Sequence, residues 1–214
     1  ASDRRHQCRH RQERQPQQRR PSRDGNRIAR YRPRQPRIYK VLAQDSVFPA
    51  PYNLVTFHDN HDMSRMLTAL GERQDLNRMA LVFLLTTRGI PQIFYGTEVL
   101  MSNKGTEDHG VIRSDFPGGW PGDAKNAFTG QGLSDDERAM QEYTRKLLQW
   151  RRTAPALRDG KLTHYVPLDG VYVYFRHDAT QKIMVVLNNG DAARTLDTRR
   201  FHEMIGTATT GTDA

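Results

Sequence analysis

The pattern of hydrophobic and polar positions predicts two short strands with a helix between them. An apolar, β-prone run at 54–57 predicts a buried strand, and a second run at 92–95 predicts another. Between them, apolar positions recur at helical spacing over 76–87, after Asp75 as the predicted N-cap and before Gly89 as the stop signal. The predicted core face of this helix consists of Leu76, Met79, Ala80, Phe83, Leu84 and Thr87.

A long loop and a second helix follow. The stretch 99–132 is rich in glycine and proline and shows no periodicity, which in compact domains is typical of a functional loop. The tetrapeptide SDDE at 134–137 predicts a capping box that opens the second helix. This helix is predicted to end near Pro155, with Arg151 and Arg152 stabilising its negative end. Its apolar face consists of Met140, Tyr143, Leu147 and Trp150.

Beyond residue 160 the period changes to two, which predicts strands. Apolar runs at 162–166, 171–175 and 183–187 are separated by turn sequences such as LDG at 168–170. A strand–helix unit repeated twice and followed by an antiparallel meander predicts the α/β class. The specific prediction is the C-terminal part of a (β/α)8 barrel followed by a small antiparallel β-sandwich domain.

These patterns divide the chain into three predicted parts. Residues 1–37 form a basic segment, 38–158 the last βα units of a catalytic barrel, and 159–214 a truncated C-terminal β domain. Two βα units cannot close a barrel, so a piece of a larger fold is predicted. No apolar run reaches the length of about 18 residues needed to span a membrane. A single cysteine, Cys8, excludes intramolecular disulfides and cysteine-based zinc sites.

Positive charge is concentrated in the first part of the chain. Residues 1–37 contain 13 arginines and three acidic side chains, whereas the other 177 residues contain 20 basic and 21 acidic side chains. The segment contains no Leu, Val, Phe, Met or Trp, so it is predicted to be disordered. Three interpretations stay open: out-of-frame translation of GC-rich DNA, a solvated tail, or an arm that binds nucleic-acid phosphates. Nucleic acid is the least favoured partner, because Tyr31 is the only Phe, Tyr or Trp of this segment and no nucleic-acid module follows it.

The densest polar cluster comes directly after the first predicted strand. Residues 57–62 read FHDNHD, and in a parallel βα architecture the active-site groups gather in the loops after the strands. Three interpretations are possible. The first is a helix-entry loop whose side chains are solvated or cap one another. The second is a metal site, since His58, Asp59, His61 and Asp62 are ligand types, although no H-x-H or HExxH spacing accompanies them. The third is a carboxylate and a histidine placed against a sugar ring.

Two motifs resemble those of a known enzyme family. The sequence FHDNHD resembles the motif F-x-x-N-H-D of the α-amylase family of glycoside hydrolases. Its continuation MSR resembles the branch that contains neopullulanases and cyclomaltodextrinases. The sequence GIPQIFYGTE at 89–98 is similar to the family's eighth barrel strand, G-x-P-x-x-x-Y-G-x-E. The order of the motifs and the single helix between them also fit, and the resemblance covers roughly 38–214, as a C-terminal fragment.

The resemblance implies roles for individual residues. Asp62 matches the third catalytic carboxylate, which binds sugar hydroxyls and stabilises the oxocarbenium-like transition state. His61 matches the histidine that hydrogen-bonds the same sugar. Asp108 and Arg113 loosely resemble a loop pair that shapes a neighbouring glucose subsite, with a surface ion pair as the alternative. Trp120 in the same loop could stack on a sugar face or anchor the loop.

The implied activity is cleavage of α-1,4-glucans (maltodextrin, cyclodextrin or pullulan) with retention of configuration. Transglycosidases and isomerases share these motifs and are the alternative. The expected partner is an α-glucan oligosaccharide, not a membrane. No cofactor and no metal ligand are implied, and the calcium requirement is left open. Both the bacterial periplasm and the cytoplasm are compatible with the sequence.

A retaining glycosidase needs two further carboxylates, a nucleophile and a general acid. In this family both precede the N-H-D motif, the nucleophile in an R-x-D sequence. Glu13 is the only glutamate before Asp62, and it stands in the arginine-rich segment. The 214 residues alone are therefore expected to be an inactive fragment.

Overall fold

The computed structural model describes residues 35–213, which contain two separate sheets connected by helices. The helices are α1 Gln35–Leu42, α2 Met66–Ala69, α3 Gln74–Thr86, α4 His109–Ile112, α5 Asp135–Thr153, α6 Pro155–Arg158 and α7 His202–Ile205. The strands are β1 Val55–Thr56, β2 Ile90–Pro91, β3 Lys161–His164, β4 Val171–His177 and β5 Lys182–Asn188. None of these helices is long and apolar enough to cross a membrane.

The predicted disorder of the basic segment lies, for residues 1–34, outside the described residues. Helix α1 begins at Gln35, so the predicted boundary at Ile38 falls inside a helix. Ile38, Tyr39 and Leu42 of α1 pack against the antiparallel sheet, which gives the helix its hydrophobic partner. Helix α1 therefore includes the last three residues of the predicted basic segment, and the boundary between the two parts stays a prediction.

Strands β1 and β2 pair in parallel, with α3 between them in the chain, as a βα unit requires. The prediction of the second strand at 92–95 is wrong, because the strand lies at Ile90–Pro91. The amide of Ile90 donates to the carbonyl oxygen of Leu54 at 2.9 Å, and the amide of Gln92 donates to that of Thr56 at 2.8 Å. No other strand of the described residues pairs with the run 92–95, so its β propensity is not realised.

Gly89 connects α3 to β2 and brings this connection close to β1. Its φ is +106°, which favours glycine, and a β-carbon there would lie 2.7 Å from the Leu54 carbonyl oxygen. Any other residue at this position would push β2 away from β1. The stop signal predicted at Gly89 therefore also determines how closely the two strands approach.

The start of α3 differs from the prediction. The helix begins at Gln74 with Arg73 at the N-cap, so the assignment of Asp75 as the N-cap is wrong. Asp75 lies in the first turn, where a carboxylate is favourable, and it accepts a hydrogen bond from Arg73 Nε at 2.8 Å. This hydrogen bond lowers the pKa of Asp75 to about 2.

The low pKa of Asp75 makes a small part of the stability pH-dependent. Because this pKa is lower in the folded than in the unfolded chain, the stabilisation is complete above about pH 4 and is lost as the pH falls toward about 2. Asp75→Asn should therefore destabilise the chain slightly at neutral pH and make no difference near pH 2. Urea unfolding of both proteins along an acid series measures this. A difference that stays constant with pH would contradict it.

Helix α3 is buried on two sides. Leu81 and Leu85, outside the predicted face, pack against Met140 of α5. Met79 and Phe83, within the predicted face, pack toward the antiparallel sheet instead. A prediction of one apolar stripe is therefore only partly right, because the helix lies between two partners.

The capping box of α5 is confirmed. The amide of Glu137 donates to Ser134 Oγ at 3.2 Å, and the amide of Ser134 donates to the Glu137 carboxylate at 2.7 Å. The helix ends at Thr153, as predicted. Arg151, however, turns to the end of α3 and donates to the carbonyl oxygens of Leu85 and Leu157.

The predicted antiparallel meander is present, in the order β3–β4–β5. Asp169 and Gly170 between β3 and β4 both have positive φ, +49° and +80°, as a type I′ turn requires. Helix α6 ends at Arg158 and β3 begins at Lys161. The predicted domain boundary between residues 158 and 159 lies at this connection and stays a prediction.

Strand β4 is buried on both faces. Tyr172 and Tyr174 pack on the side of α1 and α3, whereas Val173 and Phe175 pack against Phe201. Tyr172, Tyr174 and Phe175 are therefore core residues and do not form an exposed sugar-binding platform. The described sheet has three strands, and the segment 198–205 covers its second face.

Arg176 of β4 connects the sheet to the helical part of the chain. The residue is 1% exposed, and its Nη1 donates to the carbonyl oxygens of Thr87 at 2.6 Å and Thr86 at 3.2 Å. Its Nη2 donates to the carbonyl oxygen of Gly160 at 2.9 Å. Burial lowers the pKa of Arg176 to about 10. One side chain thus satisfies carbonyl groups at the end of α3 and before β3.

Candidate active site

The loop after β1 presents Asp62 and His61 to solvent. Their side chains are 63% and 62% exposed, and His61 Nε2 lies 3.2 Å from Asp62 Oδ2. The amide of Asp62 donates to the side-chain oxygen of Asn60 at 2.8 Å, which forms a tight turn at this point. The two predicted site residues therefore lie at the carboxyl end of a parallel strand, where active sites of this architecture are found.

Arg113, at the end of α4, contacts both of them. Its Nη2 donates to Asp62 Oδ1 at 2.9 Å, and its Nε donates to the carbonyl oxygen of His61 at 3.0 Å. The same Nη2 lies 3.1 Å from His109 Nδ1. The structure therefore brings together three of the predicted residues, with the arginine directed at the carboxylate that was assigned to catalysis.

Asp108 has a different place. It is the N-cap of α4, and its Oδ1 accepts a hydrogen bond from the amide of Gly110 at 2.7 Å. Within the part of the chain that the structure describes, no ion pair joins Asp108 to Arg113. The alternative interpretation of the two as a surface ion pair is therefore wrong, because Arg113 pairs with Asp62. A role of Asp108 in a glucose subsite stays a prediction.

Trp120 is exposed in the long loop. The loop is stabilised by Asp123, whose Oδ2 accepts hydrogen bonds from the amides of Gly118 at 2.8 Å and Trp120 at 3.1 Å. Hydrogen bonds from the backbone thus order this turn while the indole ring stays accessible. That leaves the ring free to stack on a sugar, and this role stays a prediction.

The first half of the FHDNHD motif turns inward. The His58 side chain is 7% exposed, and its Nε2 lies 3.4 Å from Asp59 Oδ1. The other oxygen of Asp59 accepts a hydrogen bond from the amide of Met66 at 2.8 Å, at the start of α2. Burial lowers the pKa of His58, and the Asp59 carboxylate opposes this shift. Among the described residues, no group of three or more His, Cys, Asp or Glu could hold a metal ion.

Two buried residues below the site were not assigned any role from the sequence. Arg65 and Asn103 are 1% and 0% exposed, and the Asn103 side-chain oxygen accepts a hydrogen bond from the amide of Arg65. Arg65 is the arginine of the MSR sequence that follows the motif. Nothing in a lone loop arginine or asparagine indicates burial, so only its place in the motif could have pointed to Arg65.

The sequence matches the models of two known protein families. The family model described as "Alpha amylase, catalytic domain" matches residues 15–179. The chain belongs to the α-amylase family. A second model, "Cyclo-malto-dextrinase C-terminal domain", matches residues 162–214. The family assignment predicted from the FHDNHD and GIPQIFYGTE motifs is thereby confirmed, and with it the assignment of this sequence to a family of enzymes.

Among its curated relatives, this α-amylase-family chain is similar to cyclomaltodextrin glucanotransferases. It is 32% identical to that of Geobacillus stearothermophilus over 157 residues, which cover 72% of this chain and 19% of the relative. It is 51% identical to that of Bacillus sp. (strain 1011) over 134 residues, which cover 63% and 16%. The chain therefore spans about a fifth or less of the length of these relatives. The neopullulanase part of the predicted branch stays a prediction.

Solved structures of the α-amylase family share the fold. The α-amylase of Geobacillus thermoleovorans, complexed with acarbose, matches with a TM-score of 0.55 and 27% identity over 71% of this chain and 31% of its own. The γ-cyclomaltodextrin glucanotransferase of the alkalophilic Bacillus clarkii matches with a TM-score of 0.51 and 28% identity over 71% and 20%. The predicted fold class, part of a (β/α)8 barrel followed by a small antiparallel β domain, is confirmed.

Proposed function

We propose that this chain provides the third-carboxylate part of an active site that cleaves α-1,4-glucans with retention. The observation that carries the proposal is the contact of Arg113 with Asp62 and His61 at the end of β1. It occurs in a chain that matches a glycosidase catalytic domain. An α-glucan oligosaccharide such as a maltodextrin or cyclodextrin is the proposed substrate.

The proposal assigns a chemical role to each of the three residues. Asp62 offers carboxylate oxygens to the hydroxyls of one glucose ring, and these hydrogen bonds strengthen as the ring flattens toward the transition state. Arg113 occupies one side of this carboxylate and sets its orientation. His61, equally exposed, donates from its ring to the same sugar. Polar groups held in place before the substrate arrives favour the transition state because they need not reorganise.

Retention requires two more carboxylates, a nucleophile and a general acid, about 5 to 5.5 Å apart. The Asp62 site does not supply them: His58 and Asp59 are buried and turned away from solvent. We propose that the nucleophile and the general acid come from a stretch of protein that the relatives contain and that these 214 residues do not span. Asp62 would then complete the site from the loop after β1.

Transfer to another sugar is the second candidate reaction. Both hydrolysis and transfer pass through a covalent glycosyl intermediate, which is resolved by water in one case and by a sugar hydroxyl in the other. Asp62 has the same role in both. The relatives described above are named glucanotransferases, and this favours transfer as the alternative.

The 214-residue chain is expected to show no turnover of maltoheptaose or cyclodextrin, because the nucleophile and the general acid are missing from the Asp62 site. Chromatography of products after long incubation measures this. The Asp62→Asn chain, prepared in parallel, reports contaminating activity. Turnover by the wild-type chain above that control would contradict the proposal.

The same chain is expected to bind maltoheptaose weakly, and Asp62→Asn should weaken binding about tenfold, because a hydrogen bond to a charged group is lost. Isothermal titration calorimetry measures the two affinities. Asp135→Asn is the matched control, since Asp135 is a fully exposed carboxylate in the first turn of α5. Equal affinities of all three proteins would show that Asp62 is not in the sugar site.

A further inference from the structure

Arg65 is a buried arginine that follows Asp62 in the same loop. It is 1% exposed, and its guanidinium lies over the ring of Phe94, 4.4 Å from the ring centroid. Burying an arginine is unfavourable unless hydrogen bonds and nearby opposite charges compensate. An arginine buried this completely, three residues after Asp62 in the chain, therefore needs a reason beyond core packing.

The hydrogen bonds of Arg65 connect three segments of the chain. Its Nε donates to the carbonyl oxygen of Ile112 at 3.0 Å, and its Nη1 donates to that of Tyr95 at 2.7 Å. Its backbone amide donates to the side-chain oxygen of Asn103 at 3.0 Å. The loop after β1 is thereby joined to the segment after β2, to the start of the long loop and to the end of α4.

The bond to Ile112 reaches the site itself. Ile112 is the last residue of α4 and directly precedes Arg113, whose guanidinium contacts Asp62 and the carbonyl group of His61. We propose that Arg65 is a positioning residue: it fixes the end of α4 and so determines how Arg113 approaches Asp62. Arg65 does not touch the sugar, because it is buried. This inference rests on the proposed function of Asp62.

Lysine could not take this role. The planar guanidinium donates to Tyr95 and Ile112 from two different nitrogens in fixed directions, whereas lysine has one ammonium group on a flexible stem. An apolar residue would leave both carbonyl groups without a donor. Burial lowers the pKa of Arg65, and the nearby Tyr95, Asp59 and Glu98 offset only part of this shift.

The first test observes Arg113 directly. Nitrogen-15 NMR of the 214-residue chain should show slowly exchanging Nε–H signals of Arg65 and Arg113, assigned by their loss in Arg65→Lys and Arg113→Lys. In Arg65→Lys, the Arg113 signal should shift and exchange with water about tenfold faster, as expected when one hydrogen bond is lost. Arg176→Lys is the matched control, since Arg176 is equally buried and also donates to carbonyl groups. It should leave the Arg113 signal unchanged.

The second test uses maltoheptaose binding. Arg65→Lys should weaken it about tenfold, whereas Arg176→Lys should not change it at temperatures where both are folded. In Arg65→Ala, added methylguanidinium should restore part of the affinity, and methylammonium at the same concentration should not. If Arg65 only filled space in the core, methylguanidinium and methylammonium would have the same effect on the affinity of Arg65→Ala.

The outcomes separate the two proposals. If the wild-type chain does not bind maltoheptaose, the proposed function fails, and the Arg113 signal still decides the role of Arg65. An Arg113 signal that is the same in wild type and Arg65→Lys overturns the positioning role, and so does an equal effect of Arg176→Lys. If the Arg65 variants do not fold, the wild-type spectrum decides. Maltoheptaose should then shift the Nε–H signal of Arg113 and leave that of Arg65 unchanged. Rapid exchange of the Arg65 Nε–H with water would overturn the proposal.

Discussion

Replacing Arg176 by methionine is expected to lower the free energy of unfolding by about 3 kcal/mol, because three hydrogen bonds to buried carbonyl groups are lost. Methionine keeps much of the apolar volume of the stem but donates no hydrogen bond. The carbonyl groups of Thr86, Thr87 and Gly160 would then be buried without their donor, at about 1 kcal/mol or more each. Burial of the guanidinium, which also lowers the pKa of Arg176, costs free energy and offsets part of what its hydrogen bonds contribute. We therefore expect a loss of about 1 kcal/mol for each carbonyl group, and not more.

Urea unfolding followed by circular dichroism measures this loss. Arg158→Met is the matched control, because Arg158 is exposed and pairs only with the neighbouring carboxylate of Asp159. Its change should stay within about 0.5 kcal/mol. Equal midpoints for the two variants would mean that the Arg176 hydrogen bonds do not stabilise the folded chain.

Asp62→Asn is expected to reduce turnover at least about a thousandfold in a protein that contains a complete site, because several kcal/mol of transition-state stabilisation are lost. A graft provides such a protein: residues 38–179 replace the corresponding stretch of the Bacillus sp. (strain 1011) glucanotransferase, to which this chain is 51% identical over 134 residues. The graft includes Arg176 together with Thr86 and Thr87, so the contacts that connect β4 to α3 are kept.

The readout is kcat on a maltooligosaccharide, with Asp135→Asn in the same graft as the control for a lost exposed carboxylate. If the kcat of the Asp62→Asn graft lies within a few-fold of that of the unsubstituted graft, Asp62 is not a catalytic residue. An inactive unsubstituted graft that still folds would show that these residues do not supply a working third carboxylate.

Elements whose determinants lie within a few residues were predictable from the sequence. The capping box of α5 needs only Ser134 and Glu137, and both of its hydrogen bonds are present. The turn between β3 and β4 needs only the positive φ of Asp169 and Gly170. Such local chemistry operates with little help from the rest of the fold, so the sequence pattern alone is sufficient.

Elements that depend on a distant partner were not predictable in the same way. The run 92–95 has strand propensity, but its backbone finds a pairing partner only up to Gln92. Arg151 is well placed for the end of its own helix, yet it donates to Leu85 at the end of α3. In both cases tertiary contacts outweigh a local preference, and the sequence does not show which contacts are formed.

The candidate site shows the same division. The motif and its place after a strand were sufficient to single out His61 and Asp62. The contact of Arg113 with Asp62 crosses a long loop without periodicity, so its geometry could not be derived from spacing. The role of Arg65 could not be predicted for a further reason. A charged residue in a loop is expected at the surface, and the burial of Arg65 depends on hydrogen-bond acceptors that only the fold brings together.

The carbonyl groups at the end of α3 have a consequence for how the chain opens. That of Leu85 accepts from Arg151 of α5, whereas those of Thr86 and Thr87 accept from Arg176 of β4. The end of α3 therefore loses two of these hydrogen bonds whenever the sheet moves away. Local unfolding follows such shared contacts and not sequence boundaries. The two family models overlap at 162–179, and this overlap contains Arg176, which joins the sheet to the end of α3. We therefore expect the sheet and the end of α3 to open together, although the end of α3 lies far outside the second family model.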